Sequence, residues 1–302
     1  MHLVEWPLIL FTLMIQMSAG AFMFLGILRE VKFMKLDEGV FSVAGRPILN
    51  VTGFILLLSV IIAAFHLGSP LNAFNALNNL ESSWLSREIL SLILFLFSGT
   101  IFLIYFMKKG TGGKIIFILA LITVLLGYIT IASMSLIYML ETVPVWNNFF
   151  TPLSFVMTSL ILGSGAILHA INIVMNKEKY FSRLKEFQSG NLADTFSKIS
   201  KFILILLSIQ LIIIIYQPVY LSSGASNDSF NLLINDNIFL LLFRILFIIA
   251  AIVWLLLILK KNRMDGNVLI RKKYYAFYFG ILLIQELIGR YIFYAIYSRI
   301  GV

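Results

Sequence analysis

Eight apolar runs, each about twenty residues long and so of membrane-crossing length, dominate this protein. They fall at 7–28, 47–66, 88–107, 114–139, 152–175, 199–220, 237–259 and 274–297. A helix rising ~1.5 Å per residue needs that length to cross a hydrocarbon core of roughly 30 Å. Backbone groups inside lipid must be satisfied within a helix or a closed barrel, and these runs are continuous rather than alternating. The predicted fold is therefore all-α: a polytopic membrane protein, an eight-transmembrane-helix bundle, with residues 1–302 forming one integral membrane domain. With 60% hydrophobic and only 12% charged residues, no stretch is left for a soluble domain.

Lysine and arginine orient the bundle, because cytoplasmic loops carry the excess of positive charge. Arg29, Lys32, Lys35 and Arg46 follow the first run, and Lys108, Lys109 and Lys114 follow the third. The fifth connection holds Lys177, Lys179, Arg183, Lys185, Lys198 and Lys201; the seventh holds Lys260, Lys261, Arg263, Arg271, Lys272 and Lys273. Together these are nineteen of the 23 basic residues, all on one side. The opposite side has Arg87 and Arg299, while Arg244 and Arg290 lie within runs. Both termini are thus expected outside, on the periplasmic face. The same rule accounts for the net charge of +9, so no nucleic-acid surface is needed to explain it.

The N-terminal run is expected to stay in the mature protein. It has Glu5 and no basic residue before Arg29, the reverse of a signal peptide's basic start, although Ser18-Ala19-Gly20-Ala21 offers small residues of the cleavable kind.

Cysteine is absent, which removes disulfides, thiolate metal sites and iron–sulfur ligands from this protein. A redox centre would be haem, a quinone, or a group on another subunit. Haem held between two helices needs two axial ligands at one depth. His66 ends a run heading outward, whereas His169 lies near the inner end of the fifth, some 20–25 Å away along the membrane normal at ~1.5 Å per residue. The two cannot share an iron. His2 is on the same side as His66 but on the tail before the first run. No haem is expected.

Ionisable groups inside membrane spans are costly and tend to face one another or a cavity. His66 closes the second run at the turn His66-Leu67-Gly68-Ser69-Pro70, and Glu88 opens the third on the same side. Arg244, Glu286, Arg290 and Gln16 all sit in the outer half of their runs. Each has a plainer reading. Glu286 and Arg290 are spaced i, i+4 and can pair to hold the bundle; Arg244 can snorkel to headgroups; Glu88 can cap the first turn of its helix. The loop from Glu141 to Pro152 combines Trp146, Phe149 and Phe150 with Pro144 and Pro152. It reads as an interfacial aromatic belt or as a rigid docking surface.

Several blocks carry a family resemblance: Glu5-Trp6-Pro7-Leu8; Gln16 with Ala19-Gly20; His66-Leu67-Gly68-Ser69-Pro70 with Ala73-Phe74-Asn75; Glu88-Ile89; Thr142-Val143-Pro144 with Trp146; Thr151-Pro152; and Glu286-Leu287-Ile288-Gly289-Arg290 with Phe293-Tyr294. In this order, from residue 5 to 294, they resemble the membrane anchor subunit of anaerobic dimethyl sulfoxide reductase. The stretches between the blocks depart from that pattern, above all the long basic connection 176–200. The resemblance implies an eight-helix anchor in the bacterial cytoplasmic (inner) membrane that binds menaquinol and passes its electrons to an iron–sulfur subunit. That subunit would serve a molybdopterin catalytic subunit, both docked on the outer face, so that clusters and molybdopterin lie on partners only. It also implies that the quinol-site histidine and glutamate are His66 and Glu88. Gln16, Gly68, Ser69, Arg244, Glu286 and Arg290 are then candidates for lining or supporting the pocket, and Pro70, Trp146 and Pro152 for partner docking.

The chemistry can be stated without the family. Oxidising a quinol releases two protons and two electrons, so a site needs a proton acceptor at the ring hydroxyl and an electron acceptor nearby. An imidazole with an unperturbed pKa near 6.5 suits the first task, with Glu88 orienting it or sharing its proton. Two other readings compete: a purely structural anchor without quinol chemistry, and a secondary transporter. The transporter should show repeat symmetry and helices broken near the midplane, and neither is evident in the sequence.

Overall fold

A computed structural model describes residues 6–28, 38–66, 75, 77–110, 113–177, 192–222, 227–265 and 272–300, without the side chains of 27, 28, 38, 39, 42, 64–66, 192, 193, 262–265 and 272. The described residues form nine α-helices, of which eight are long and apolar enough to cross a membrane. These are α1 (Trp6–Met23, continued by a π-helical turn Phe24–Leu28), α2 (Glu38–His66), α3 (Trp84–Lys109), α4 (Lys114–Tyr138), α5 (Phe150–Met175), α6 (Leu192–Ser222), α8 (Ile238–Asp265) and α9 (Lys272–Ala295). The ninth, α7 (Asn227–Asp236), is too short to span and lies between α6 and α8.

Helices α1 and α5 form the centre. Their most apolar windows are 78% and 67% buried, against 28–44% for the other six, whose outer sides are left to lipid. Apolar burial does not drive association in hydrocarbon, so close packing has to hold the pair. Gly20 and Gly163 mark their crossing: a Cβ on Gly20 would collide with the carbonyl of Ser159, and one on Gly163 would collide with the backbone of Gly20. The small residues Ser18-Ala19-Gly20-Ala21 therefore serve a helix crossing. Several hydroxyls inside the spans are satisfied within their own helices, as with Thr12 to the Ile9 carbonyl (2.9 Å), Ser59 to Leu56 (2.6 Å) and Thr130 to Leu126 (2.9 Å).

Helix ends differ from the apolar runs in three informative places. Helix α2 begins at Glu38, well before the run at 47, so Pro47 lies inside it and not at its start. Helix α3 begins at Trp84 with Ser83 as N-cap, its Oγ accepting from the Ser86 N–H at 3.3 Å. Arg87 fixes the preceding turn by donating to the carbonyls of Leu80 (2.9 Å) and Glu81 (2.6 Å) while lying over the Trp84 ring. Helix α7 has no counterpart among the apolar runs. Its Asp228 sits in the first turn, where a carboxylate favours the helix dipole, and its Leu233 is buried.

Eight antiparallel spans bring the start of α1 and the end of α9 to one face, the terminal face. The 139–149 loop closes it. Asn148 Oδ1 accepts from the Phe150 N–H (2.9 Å) at the head of α5, Thr151 Oγ1 donates to the Trp146 carbonyl (2.7 Å), and the Ile300 N–H donates to Thr142 O (2.9 Å).

Candidate functional site

Four helices, α1, α3, α8 and α9, each carry a polar residue within the apolar run, and those residues fall into two groups. Glu88 comes first. Because α3 starts at Trp84 and Ser83 caps it, Glu88 lies a full turn inside the helix and is 7% exposed. The capping explanation for this carboxylate therefore fails. Its carboxylate has no hydrogen-bond or ion-pair partner among the described residues. A buried polar group left this way calls for a functional explanation or a ligand.

Near it stands Tyr138, part of an aromatic cluster drawn from three elements, α4, the 139–149 loop and α9. The Tyr138 and Tyr294 hydroxyls share a hydrogen bond of 2.8 Å, and Glu88 and Arg290 are both within electrostatic reach of Tyr138. Trp146 stacks on Phe293 with centroids 5.1 Å apart, and its indole N–H donates to the Phe293 carbonyl at 2.8 Å. Trp146 is thus turned inward. The aromatic ring that the 139–149 loop exposes is Phe149, at 72%.

A second cluster lies deeper along α9. Glu286 accepts from Thr158 Oγ1 of α5 (2.7 Å), Gln210 Nε2 of α6 (2.7 Å) and Gln285 Nε2 (2.9 Å). Its ion-pair partner is Arg244 of α8, at 3.9 Å. Arg290 takes another course: it donates to Gln16 Oε1 of α1 at 3.1 Å and lies 3.8 Å from the centroid of the Phe155 ring. The pairing of Glu286 with Arg290 suggested by their i, i+4 spacing is thus replaced by interhelical partners. Arg244 does not snorkel, since its side chain is only 13% exposed and turns inward. Gly289 makes that position available, because a Cβ there would run into the Arg244 guanidinium.

The two guanidiniums thus have different partners, Glu286 for Arg244 and Gln16 for Arg290. Both line a cavity between α5, α6, α8 and α9 with about 890 Å³ of empty space, its open mouth included.

His66 is the last residue of α2. Its side chain lies outside the described residues, as do Gly68, Ser69 and Pro70. Pro152 lies in the first turn of α5, where its missing N–H costs no hydrogen bond. Of the remaining candidates, the structure brings Gln16 to Arg290 and Arg244 to Glu286, on helices other than those of His66 and Glu88. His169 is far along α5, stacked on Phe279 with centroids 5.6 Å apart. Sequence reasoning passed over Thr158, Gln210, Gln285 and Tyr138. Gln210 and Gln285 carried the signal that singled out Gln16, an amide inside an apolar run.

Comparison with known proteins gives a consistent result. The profile of the family described as DMSO reductase anchor subunit (DmsC) matches residues 1–296. The protein is 29% identical over 311 aligned residues to the anaerobic dimethyl sulfoxide reductase component YnfH of Escherichia coli (strain K12), an alignment that spans 98% of this sequence and 96% of the relative. A second anaerobic dimethyl sulfoxide reductase polypeptide of the same organism is 32% identical, over 53% of this sequence and 55% of its own. An anaerobic dimethyl sulfoxide reductase polypeptide from Haemophilus influenzae is 29% identical over 59% of this sequence and 62% of its own length.

Proposed function

This protein belongs to the family of dimethyl sulfoxide reductase anchor subunits, multi-pass proteins of the bacterial inner membrane, and from that premise we propose that it oxidises menaquinol at His66 and Glu88. The electrons pass to an iron–sulfur subunit docked on the terminal face and from there to a molybdopterin subunit. The observation that carries the reading is Glu88: a carboxylate buried one turn inside a membrane helix, with the capping role taken by Ser83 and no partner of its own among the described residues.

That environment fits a quinol hydroxyl. Bound quinol supplies two electrons and two protons and leaves as the quinone. His66, at the end of α2, takes the two hydroxyl protons in turn through its imidazole and passes each to the water at that face. Glu88 accepts a hydrogen bond from the hydroxyl or from the imidazolium, offsetting the charge that forms there. A Cys-free polypeptide holds no cluster by thiolates, so the electron carrier is supplied in trans. The charge distribution supports an orientation with this face outside the cytoplasm, and in that orientation proton release and electron exit share one side of the membrane.

The test is to purify the tagged protein gently and assay the co-purifying material for iron, molybdenum and quinone. A cluster-bearing partner together with a quinone is the expected result. Recovery of a solitary, metal-free and quinone-free protein contradicts the reading.

A further inference from the structure

We infer that the cavity between α5, α6, α8 and α9 binds the phosphate of an anionic phospholipid, held chiefly by Arg244 with Arg290 behind it. Arg244 carries the argument. A guanidinium has five N–H donors, yet among the described residues this one makes no hydrogen bond; its single partner is the Glu286 carboxylate at 3.9 Å, beyond hydrogen-bond range. Its Nε is buried and unpaired, and so is the Nε of Arg290, a residue only 5% exposed. Buried guanidinium donors with nothing to donate to are expensive unless a ligand meets them.

The chemistry of that ligand follows from what is already satisfied. Glu286 is occupied by three donors and faces Arg244, so the cluster carries two positive charges and one negative. It lacks acceptor oxygens and negative charge, which a phosphate supplies in the fork geometry that arginine prefers. A site for deprotonating a quinol would need the opposite, a base with spare capacity. The walls decide between a free anion and a lipid. Ile213, Ile214, Leu241 and Ile292 line the same cavity as the guanidiniums, so a headgroup with acyl chains gains contacts that inorganic phosphate cannot. The bare backbone of Gly289 keeps Arg244 turned into this space.

This inference is independent of the quinol reading, because its test does not use turnover. The complex, as purified with its subunits, is exchanged into micelles containing phosphatidylglycerol or phosphatidylcholine, and the retained lipid is counted by native mass spectrometry. Wild type should retain phosphatidylglycerol over phosphatidylcholine. Arg244→Gln should weaken retention roughly tenfold, about the effect of one charge-assisted hydrogen bond, while the exposed Arg299→Gln should not. Ile213→Trp narrows the cavity without changing charge and should also release the lipid, which keeps the test valid if Arg244→Gln fails to fold. Equal retention of the two lipids, or unchanged phosphatidylglycerol retention in the folded variants, overturns the inference. Displacement of the lipid by inorganic phosphate, or by menaquinone one for one, overturns the assignment to a phospholipid.

Discussion

Neutralising Glu286 and Arg244 together should cost less than the sum of the two single changes. The two charges are 3.9 Å apart, and at an effective dielectric of ~20 that separation corresponds to about 4 kcal/mol of attraction. Hydrogen bonds between membrane helices fall well below such ideal values, averaging roughly 0.6 kcal/mol in one system, so the coupling expected here is about 1–4 kcal/mol. Glu286→Gln keeps one acceptor for Gln210 or Gln285 but presents an amide nitrogen to Thr158 and to the Arg244 cation. Leaving a buried charge unpaired costs about 3–5 kcal/mol. Arg244→Gln removes that charge, so adding it to Glu286→Gln should cost less than the single changes predict. The assay is a double-mutant cycle on unfolding free energies of the four proteins in one micelle free of anionic lipid. Costs that add to within about 0.5 kcal/mol would refute the coupling.

Three further outcomes follow from the same geometry. Gly163→Leu should prevent α1 and α5 from closing and leave no folded protein in detergent extracts, because even a Cβ collides with the Gly20 backbone; normal yield and a monodisperse elution profile would contradict that crossing. Trp146→Phe should keep the stacking on Phe293 and lose only the indole hydrogen bond, lowering stability by about 0.5–1.5 kcal/mol in an unfolding titration, and a neutral result would mean the loop is held by other contacts. Turnover in liposomes holding the complex and menaquinol should be electroneutral, since protons and electrons leave on the same side; a sustained membrane potential would argue against that placement.

How far the sequence could be read depended on which contacts were local. Hydropathy marks a span because every residue of it reports burial in lipid, so the eight helices were legible, though their ends were not. Ser83 and Trp84 are too polar or too interfacial to extend an apolar run, yet they begin α3, and moving that start by one turn changed Glu88 from a capping residue into a buried one. Glu286 and Arg290 showed the limit of spacing arguments. Four residues apart they face the same way, but Thr158, Gln210 and Arg244 reach Glu286 from three other helices, and no pattern along α9 reveals them. Trp146 shows the same limit: a tryptophan in a loop gives no sign that Phe293, far along the sequence, will stack on it. Gly20 and Gly163 are each ordinary in sequence and become decisive only as a pair.

The central claim is that His66 and Glu88 act on the quinol, and single-turnover oxidation of menaquinol by the assembled complex tests it most directly. His66→Ala and Glu88→Gln should each reduce that rate by about 10²-fold or more, the scale of a lost general base or its partner. Subunit assembly, and reduction of the soluble partners by a small artificial donor, should stay at wild-type levels. Menaquinol oxidation at the wild-type rate in both assembled variants would contradict the account and leave the protein a structural anchor.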